Sequence, residues 1–325
     1  MPTSGKIQRD LIVIGGSAGA LPVLLEMAEQ LPVDFPPVLI VTHIGAHKSV
    51  LPDLMNRRGA SRAAHVTGGE RIEHGRIYVA PPDHHMTVED DILLLDRGAK
   101  ENHARPAIDP LFRSAALSYR QRTIGVILSG YQNDGTAGLH FVKACGGVAV
   151  VQDPSDAFAP DMPESAMRHV AVDRHVKGSD LVDALKELIH MPVRNSPSVP
   201  SQLELEHRLF RTKRTSFEEL DALGVPARLS CPECGGALWQ LKDSGPARFR
   251  CHTGHAYSAE VLARSQIDRA EESLSQALRG FKERLELLRL TMALHGEEHA
   301  EIDTWRRDEQ DLCMKIEGVK ALLYA

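Results

Sequence analysis

The chain has 325 residues, a formal net charge of −6, 42% hydrophobic and 25% charged residues, an ordinary profile for a soluble globular protein. That charge argues against a surface that coats nucleic acid, no apolar run approaches the ~20 residues of a membrane helix, and Met-Pro-Thr-Ser-Gly-Lys lacks the apolar core of a secretory signal. Five cysteines, three of them clustered, suit a reducing compartment and a metal site better than a disulfide framework, so a cytoplasmic location is expected.

In chain order, Leu11–Ile14 reads as a buried strand, Ala20–Leu31 as the helix after it, Val38–Thr42 as a second strand and Ser49–Arg58 as a helix. Arg76–Ala80 and Ile92–Asp96 are short strands, and the stretch between about 65 and 96 reads as an antiparallel edge or β-hairpin. Asp109–Tyr119 is a helix that Asp109 could cap, and Thr123–Leu128 is another buried strand. Thr136–Cys145 is a helix, Gly147–Gln152 a strand, and Pro163–His169 and Ser179–His190 are helices. Repeated strand–helix units predict an α/β fold: a doubly wound, mostly parallel sheet with helices on both faces over residues 8–191. The Pro- and Ser-rich stretch 192–202 reads as a linker. Residues 203–258 read as a small zinc-ribbon module preceded by a short helix, and 259–325 as a helical hairpin or half of an intermolecular coiled coil.

Ser17 is the most informative residue. It sits in Gly15-Gly-Ser-Ala-Gly19, between a strand and a helix, where glycines allow a sharp turn and helix amides can stabilise an oxyanion. Glycine-rich strand–helix turns also cradle phosphates, but a dinucleotide fingerprint needs glycine where this chain has Ser17 and Ala20. Acyl transfer at a serine needs a base and a carboxylate to orient it. Val38–Thr42 runs into His43, and Thr123–Leu128 runs into a loop carrying Asp134, so all three residues follow strands at one sheet edge. Asp134 could instead cap the following helix, and the later histidines His169, His175 and His190 are the alternatives for the base.

An ordered set of blocks resembles the catalytic domain of the CheB-type chemotaxis protein-glutamate methylesterases: Ile14-Gly-Gly-Ser-Ala-Gly19, Thr42-His43, Ile77-Tyr-Val-Ala-Pro-Pro82, Arg105-Pro-Ala-Ile-Asp-Pro-Leu-Phe112, Gly125-Val-Ile-Leu-Ser-Gly130, Asn133-Asp-Gly135 and Met162-Pro-Glu164. The resemblance implies Ser17 as nucleophile, His43 as general base and acid, Asp134 as its orienting carboxylate, and the Ala18 and Tyr131 amides as the oxyanion site. It implies hydrolysis of glutamyl methyl esters on methyl-accepting receptor helices, with related glutamine deamidation and no cofactor for catalysis; the net charge and the lack of a dense basic cluster predict no nucleic-acid partner. The chain departs from the family where Tyr131-Gln132 replaces Met-Gly and where Ile44-Gly45-Ala46 replaces Met-Pro after the histidine. Only about ten residues precede the first strand, so the receiver domain common in the family, and phospho-control in cis, are not expected. A regulatory binding module that docks a signalling partner without turnover is the alternative.

Two smaller features complete the reading. Arg105 and Asp109 are expected to pair across a loop, and His84-His85 to form a solvated turn after Pro81-Pro82. Cys231-Pro-Glu-Cys234 and Cys251-His-Thr-Gly-His255 supply four ligands at zinc-ribbon spacing: Cys231, Cys234, Cys251 and His255, with His252 an alternative to His255. A closed four-ligand site predicts structural zinc. Cys145 and Cys313 fall in helical patterns as core or seam residues, and the C-terminal helices could form a homodimer.

Overall fold

The computed structural model describes residues 8–43, 48–193, 197–213, 215–242 and 245–324. Seven strands form one wholly parallel sheet in the order β3-β4-β2-β1-β7-β8-β9: β1 (Leu11–Gly16), β2 (Val38–Thr42), β3 (Arg62–His65), β4 (Arg76–Val79), β7 (Thr123–Ile127), β8 (Val148–Gln152) and β9 (Arg174–Val176). β5 (His85–Glu89) and β6 (Ile92–Asp96) pair with each other as a separate antiparallel hairpin. Helices α1 (Ala20–Gln30), α2 (Leu51–Asn56), α3 (Ile108–Tyr119), α4 (Thr136–Ala144), α5 (Asp161–His169) and α6 (Leu181–His190) flank the sheet.

The central strands are apolar along their whole length because both faces are covered, the pattern of a parallel sheet with a helical layer on each side. Leu11, Val13, Leu39 and Val41 point into one core layer with Leu111, Phe112 and Leu139. Ile12, Ile14, Val38 and Ile40 point into the other with Leu24, Met27 and Leu185. The expected doubly wound α/β fold is present. His85 departs from expectation: it is fully buried in β5, where Nε2 donates to the Ala99 carbonyl and Nδ1 accepts from the Ala107 amide. A histidine with both ring nitrogens satisfied by backbone tolerates burial as well as an apolar residue does.

Beyond the sheet come α7 (Ser201–Thr212) and α8 (Phe217–Leu223), then a four-stranded antiparallel sheet of β10 (Gly224–Ser230), β11 (Ala237–Leu241), β12 (Arg248–Cys251) and β13 (Ala256–Ser258). Residues 194–196 of the expected linker lie outside the described residues. The ribbon belongs to the same compact unit as the parallel sheet, Met1–Leu262. A buried ionic network ties them together. Arg113 of α3 makes a two-pronged pair with Glu101 at 2.7 and 2.8 Å, and Arg248 of β12 makes one with Glu206 of α7 at 2.8 and 2.8 Å. Arg250 of β12 reaches Glu101 at 3.3 Å, and none of the five side chains is more than 5% exposed.

The second unit is Ala263–Ala325. α9 (Ala259–His295) and α10 (Ile302–Leu323) are separated at Gly296, which takes the left-handed φ of 75° that ends a helix without a Cβ clash. Leu278, Leu285, Leu312 and Ile316 close a seam within the chain, with Cys313 packed against it.

Candidate active site

The site forms where three parallel strands end side by side. Gly16 of β1 is in register with Thr42 of β2, and Gly15 with Ile127 of β7, so residues 17, 43 and the loop after 127 leave the sheet at one rim. The His43 amide donates to the Gly16 carbonyl at 3.4 Å and the Ser17 amide to the Ser129 carbonyl at 2.8 Å, tying the three crossover loops together. Ser17, His43 and Asp134 line one cleft of about 530 Å³ with Asp83, Asn102, His103, Arg105 and Tyr131. His169, His175 and His190 line no part of it.

Two glycines make the turn possible. Gly19 has φ 84°, and a Cβ there would lie 2.4 Å from the Phe158 Cβ. A Cβ on Gly130 would lie 2.1 Å from the Met162 sulfur and 2.8 Å from the Ser17 Cβ, so only glycine lets the Ser129–Gly130 strand end pass behind the serine.

His43 Nε2 donates to Asp134 Oδ2 at 2.8 Å, so Nδ1 is the ring nitrogen that the carboxylate leaves unengaged. Asp134 is 2% exposed and ringed by donors. Its Oδ2 accepts from the Ile108 amide at 2.7 Å, and its Oδ1 from the Gly135 amide at 3.0 Å and from Asn102 Nδ2 at 3.1 Å. Burial pushes the Asp134 carboxyl up, but the His43 bond and charge, the Ile108 amide and Asn102 outweigh it, holding it below the usual carboxylate range. Ile108 opens α3, so Asp134 sits at the positive end of that helix rather than capping α4, whose N-cap is Gly135.

Its neighbour Asp109 is equally buried and is pushed up to about 8 by burial and by the Asp134 charge. The two carboxyls therefore divide into one ionised and one neutral group at pH 7. Asp109 does not cap its own helix, whose N-cap is Ala107; its Oδ1 accepts from the Gly138 amide at 2.6 Å. Nor does it pair with Arg105, which instead grips Asp83 at 2.7 and 2.8 Å, because the loop after β4 carries Asp83 to that side.

Among the described residues, the amides of Ala18 and Tyr131 donate to no protein acceptor, and both belong to the loops framing Ser17. Gln132, where the family has glycine, keeps a left-handed φ of 67°. A side chain at that φ carries some strain that a glycine would not. Ile44, Gly45 and Ala46 lie outside the described residues.

This combination of sheet order, elbow serine and histidine–carboxylate pair has a counterpart in known sequences. A family model described as CheB methylesterase matches residues 12–185. The chain belongs to the CheB methylesterase family. A Leptospira interrogans chain, provisionally named a protein-glutamate methylesterase/protein-glutamine glutaminase, is 39% identical over 50% of this chain and 86% of its own length. A Paramagnetospirillum magneticum protein-glutamate methylesterase/protein-glutamine glutaminase is 35% identical over 48% of this chain and 43% of its own. The crystal structure of the Thermotoga maritima CheB methylesterase catalytic domain superposes with a TM-score of 0.54 at 29% identity, covering 56% of this chain and all of that one. These CheB matches cover the parallel-sheet domain, about half of the chain.

The ribbon's cysteines lie outside that match. Cys231, Cys234, Cys251 and His255 place their ligand atoms within 4.8 Å of one another. The Cys234–Cys251 sulfurs are 3.7 Å apart, and His255 Nδ1 is 3.7 Å from Cys231 and 3.5 Å from Cys251. A tetrahedron built with zinc–ligand bond lengths separates sulfur pairs by about 3.8 Å and sulfur–nitrogen pairs by about 3.6 Å, so the donor set fits zinc. His255 Nε2 faces Glu233 at 3.2 Å, the usual support for a ligating imidazole, whereas His252 is exposed and outside the group.

Sequence reasoning missed Asn102, Asn133 and Ser258. Ser258 Oγ donates to Asn133 Oδ1 at 2.8 Å, and its amide donates to Asn102 Oδ1 at 2.9 Å. The one signal for Asn102 was local: an asparagine at the first of two consecutive left-handed positions, Asn102 (φ 49°) and His103 (φ 60°), in the turn Glu101–Ala104.

Proposed function

We propose that the chain is a protein-glutamate methylesterase, also able to deamidate glutamine, acting on helical segments of methyl-accepting receptors in the cytoplasm. The observation that carries this is the His43–Asp134 bond at the strand ends flanking Ser17, in a chain whose curated relatives carry that activity in their names. Ser17 Oγ attacks the ester carbonyl while His43 Nδ1 takes its proton, and Asp134 holds the imidazole by its other nitrogen. The Ala18 and Tyr131 amides, with the N-terminus of α1, stabilise the oxyanion. The same proton goes to the departing methanol (ammonia, for glutamine), and water then releases the glutamyl carboxylate by the reverse path.

A protein substrate suits the rim. Leu21 and Val50 are 46% and 51% exposed in a groove shared with Ser17 and His43, and Tyr131 and Phe158 are 58% and 75% exposed beside it. Exposed apolar side chains around a polar site favour a docked helix over a small soluble ester. A homodimer through the C-terminal helices would use exposed outer positions such as Leu287, Leu290, Leu294 and Met314, since the inner seam is already filled.

Purified chain should release methanol from methylated receptor fragments, and Ser17→Ala should slow release by about 10⁴-fold or more. If wild type and Ser17→Ala are equally inert yet both bind the receptor, the chain is a docking module instead. Cys231, Cys234, Cys251 and His255 would hold one structural zinc: metal analysis should find about one per chain, lost in Cys231→Ala.

A further inference from the structure

The ribbon reaches the site through Asn102, Asn133 and His103, and of these Asn102 bonds the catalytic carboxylate directly. Asn102 lies in the turn Glu101–Ala104 and is held from the ribbon side by two bonds. Its amide donates to the Ala256 carbonyl of β13 at 2.8 Å, and its Oδ1 accepts from the Ser258 amide at 2.9 Å. From the other side its Nδ2 donates to Asp134 Oδ1 at 3.1 Å and to Asp109 Oδ2 at 3.3 Å. Asn102 thus joins a ribbon strand to the carboxylate that orients His43 and to its neighbour Asp109. The turn's next residue repeats the link: His103 faces the cleft, and its Nδ1 lies 3.0 Å from Glu233 Oε1, whose other oxygen meets the His255 ring. Glu233 sits between Cys231 and Cys234, so the metal knuckle itself grips the turn.

β13 is only three residues long and follows directly on His255. The ribbon's own apolar cluster is six residues, two of them the cysteines Cys231 and Cys251. A module this small keeps its knuckle conformation through metal ligation. From these contacts we infer that Asn102 is a positioning residue for the Asp134–His43 pair and that the Cys₃His ribbon is the clamp that holds it, making metal loading a condition for a competent site. This rests on the methylesterase reading of Ser17, His43 and Asp134. It assigns the ribbon a role inside the active site rather than as a spacer.

The full-length chain tests it with three readouts. First, Asn102→Ala should lower kcat about ten- to hundred-fold, the effect of removing one hydrogen bond to a charged group, with KM within about twofold. Second, the low-field proton signal of the His43 Nε2–H bond should disappear in Asn102→Ala while thermal unfolding stays cooperative. Third, stripping zinc from wild type with a chelator should speed amide exchange at Asn102 and Ala104 by about tenfold or more and bleach the same proton signal, both restored by added zinc. His252→Ala, an exposed ribbon histidine outside the ligand group, should change none of these. Unchanged kcat in Asn102→Ala, or unchanged exchange and proton signal after zinc removal, overturns the clamp. Should wild type release no methanol, the methylesterase reading fails on its own, and the proton signal and exchange still decide the clamp.

Discussion

At the scale of single residues, two buried carboxyls that share the Asn102 amide differ in charge, Asp134 ionised and Asp109 neutral, and pH exposes the difference. Asp109 has a folded-state value of about 8, far above the ordinary one. Between about pH 4 and 8 the unfolded chain has released this proton while the folded chain keeps it, so folding takes up a proton and stability falls as pH rises. The slope from a fully buried group approaches about 1.4 kcal/mol per pH unit. Asp109→Asn keeps an acceptor for the Gly138 amide and removes the titration. Urea unfolding at pH 5 to 8 should therefore show a flatter pH dependence for the variant; identical slopes would mean Asp109 is ionised in the folded protein. Gln132 is the other residue with a definite expectation. Its left-handed φ costs about 1–2 kcal/mol relative to glycine, partly offset by the looser unfolded chain that glycine brings. Gln132→Gly should raise stability by about 0.5–1 kcal/mol, and a denaturation midpoint that falls would refute the strain.

At the scale of elements, α3, α7 and β12 share a buried ionic cluster beside the apolar core that Leu203 of α7 joins. Three arginines and two glutamates sit buried together, with Glu101 and Glu206 held below the usual carboxylate range because the arginine charges outweigh their burial. Such a network stabilises little compared with an apolar core but is costly to break, since each lost partner strands a buried charge. Glu206→Gln should destabilise the chain by about 3–5 kcal/mol, read by urea unfolding, whereas an exposed pair such as Lys186–Asp183 should contribute under about 1 kcal/mol. Sequence periodicity placed the apolar strands and helices well. It was silent on this interface because Glu101, Arg113, Glu206, Arg248 and Arg250 read as ordinary solvated charges, and β3, β5 and β9 were too short or too polar to stand out. For the same reason His85 looked like part of a turn.

At the scale of the whole molecule, the residues described for the site all belong to the unit Met1–Leu262. A chain ending at Leu262 should keep wild-type methanol release. One ending at Pro192 should lose it, because it lacks Ser258, Ala256 and the network partners of Glu101 and Arg113. Equal activity in the two truncations would place the ribbon outside the site.

Chemistry that depends on neighbours in the chain was readable from residues alone: the glycine elbow around Ser17, the strand ends before His43 and Asp134, and the knuckle spacing of the cysteines. Repeated strand–helix units announced the parallel sheet, whereas its strand order, with Leu11 of β1 beside Thr123 of β7, joins segments far apart in the chain. What only the tertiary structure decided are the pairings that span the chain: Asn102 with Ser258, Arg250 with Glu101, Arg105 with Asp83 rather than Asp109. A polar side chain has no periodicity to announce its partner. Whether it meets water or a carboxylate is settled when distant segments pack and the surrounding solvent is removed.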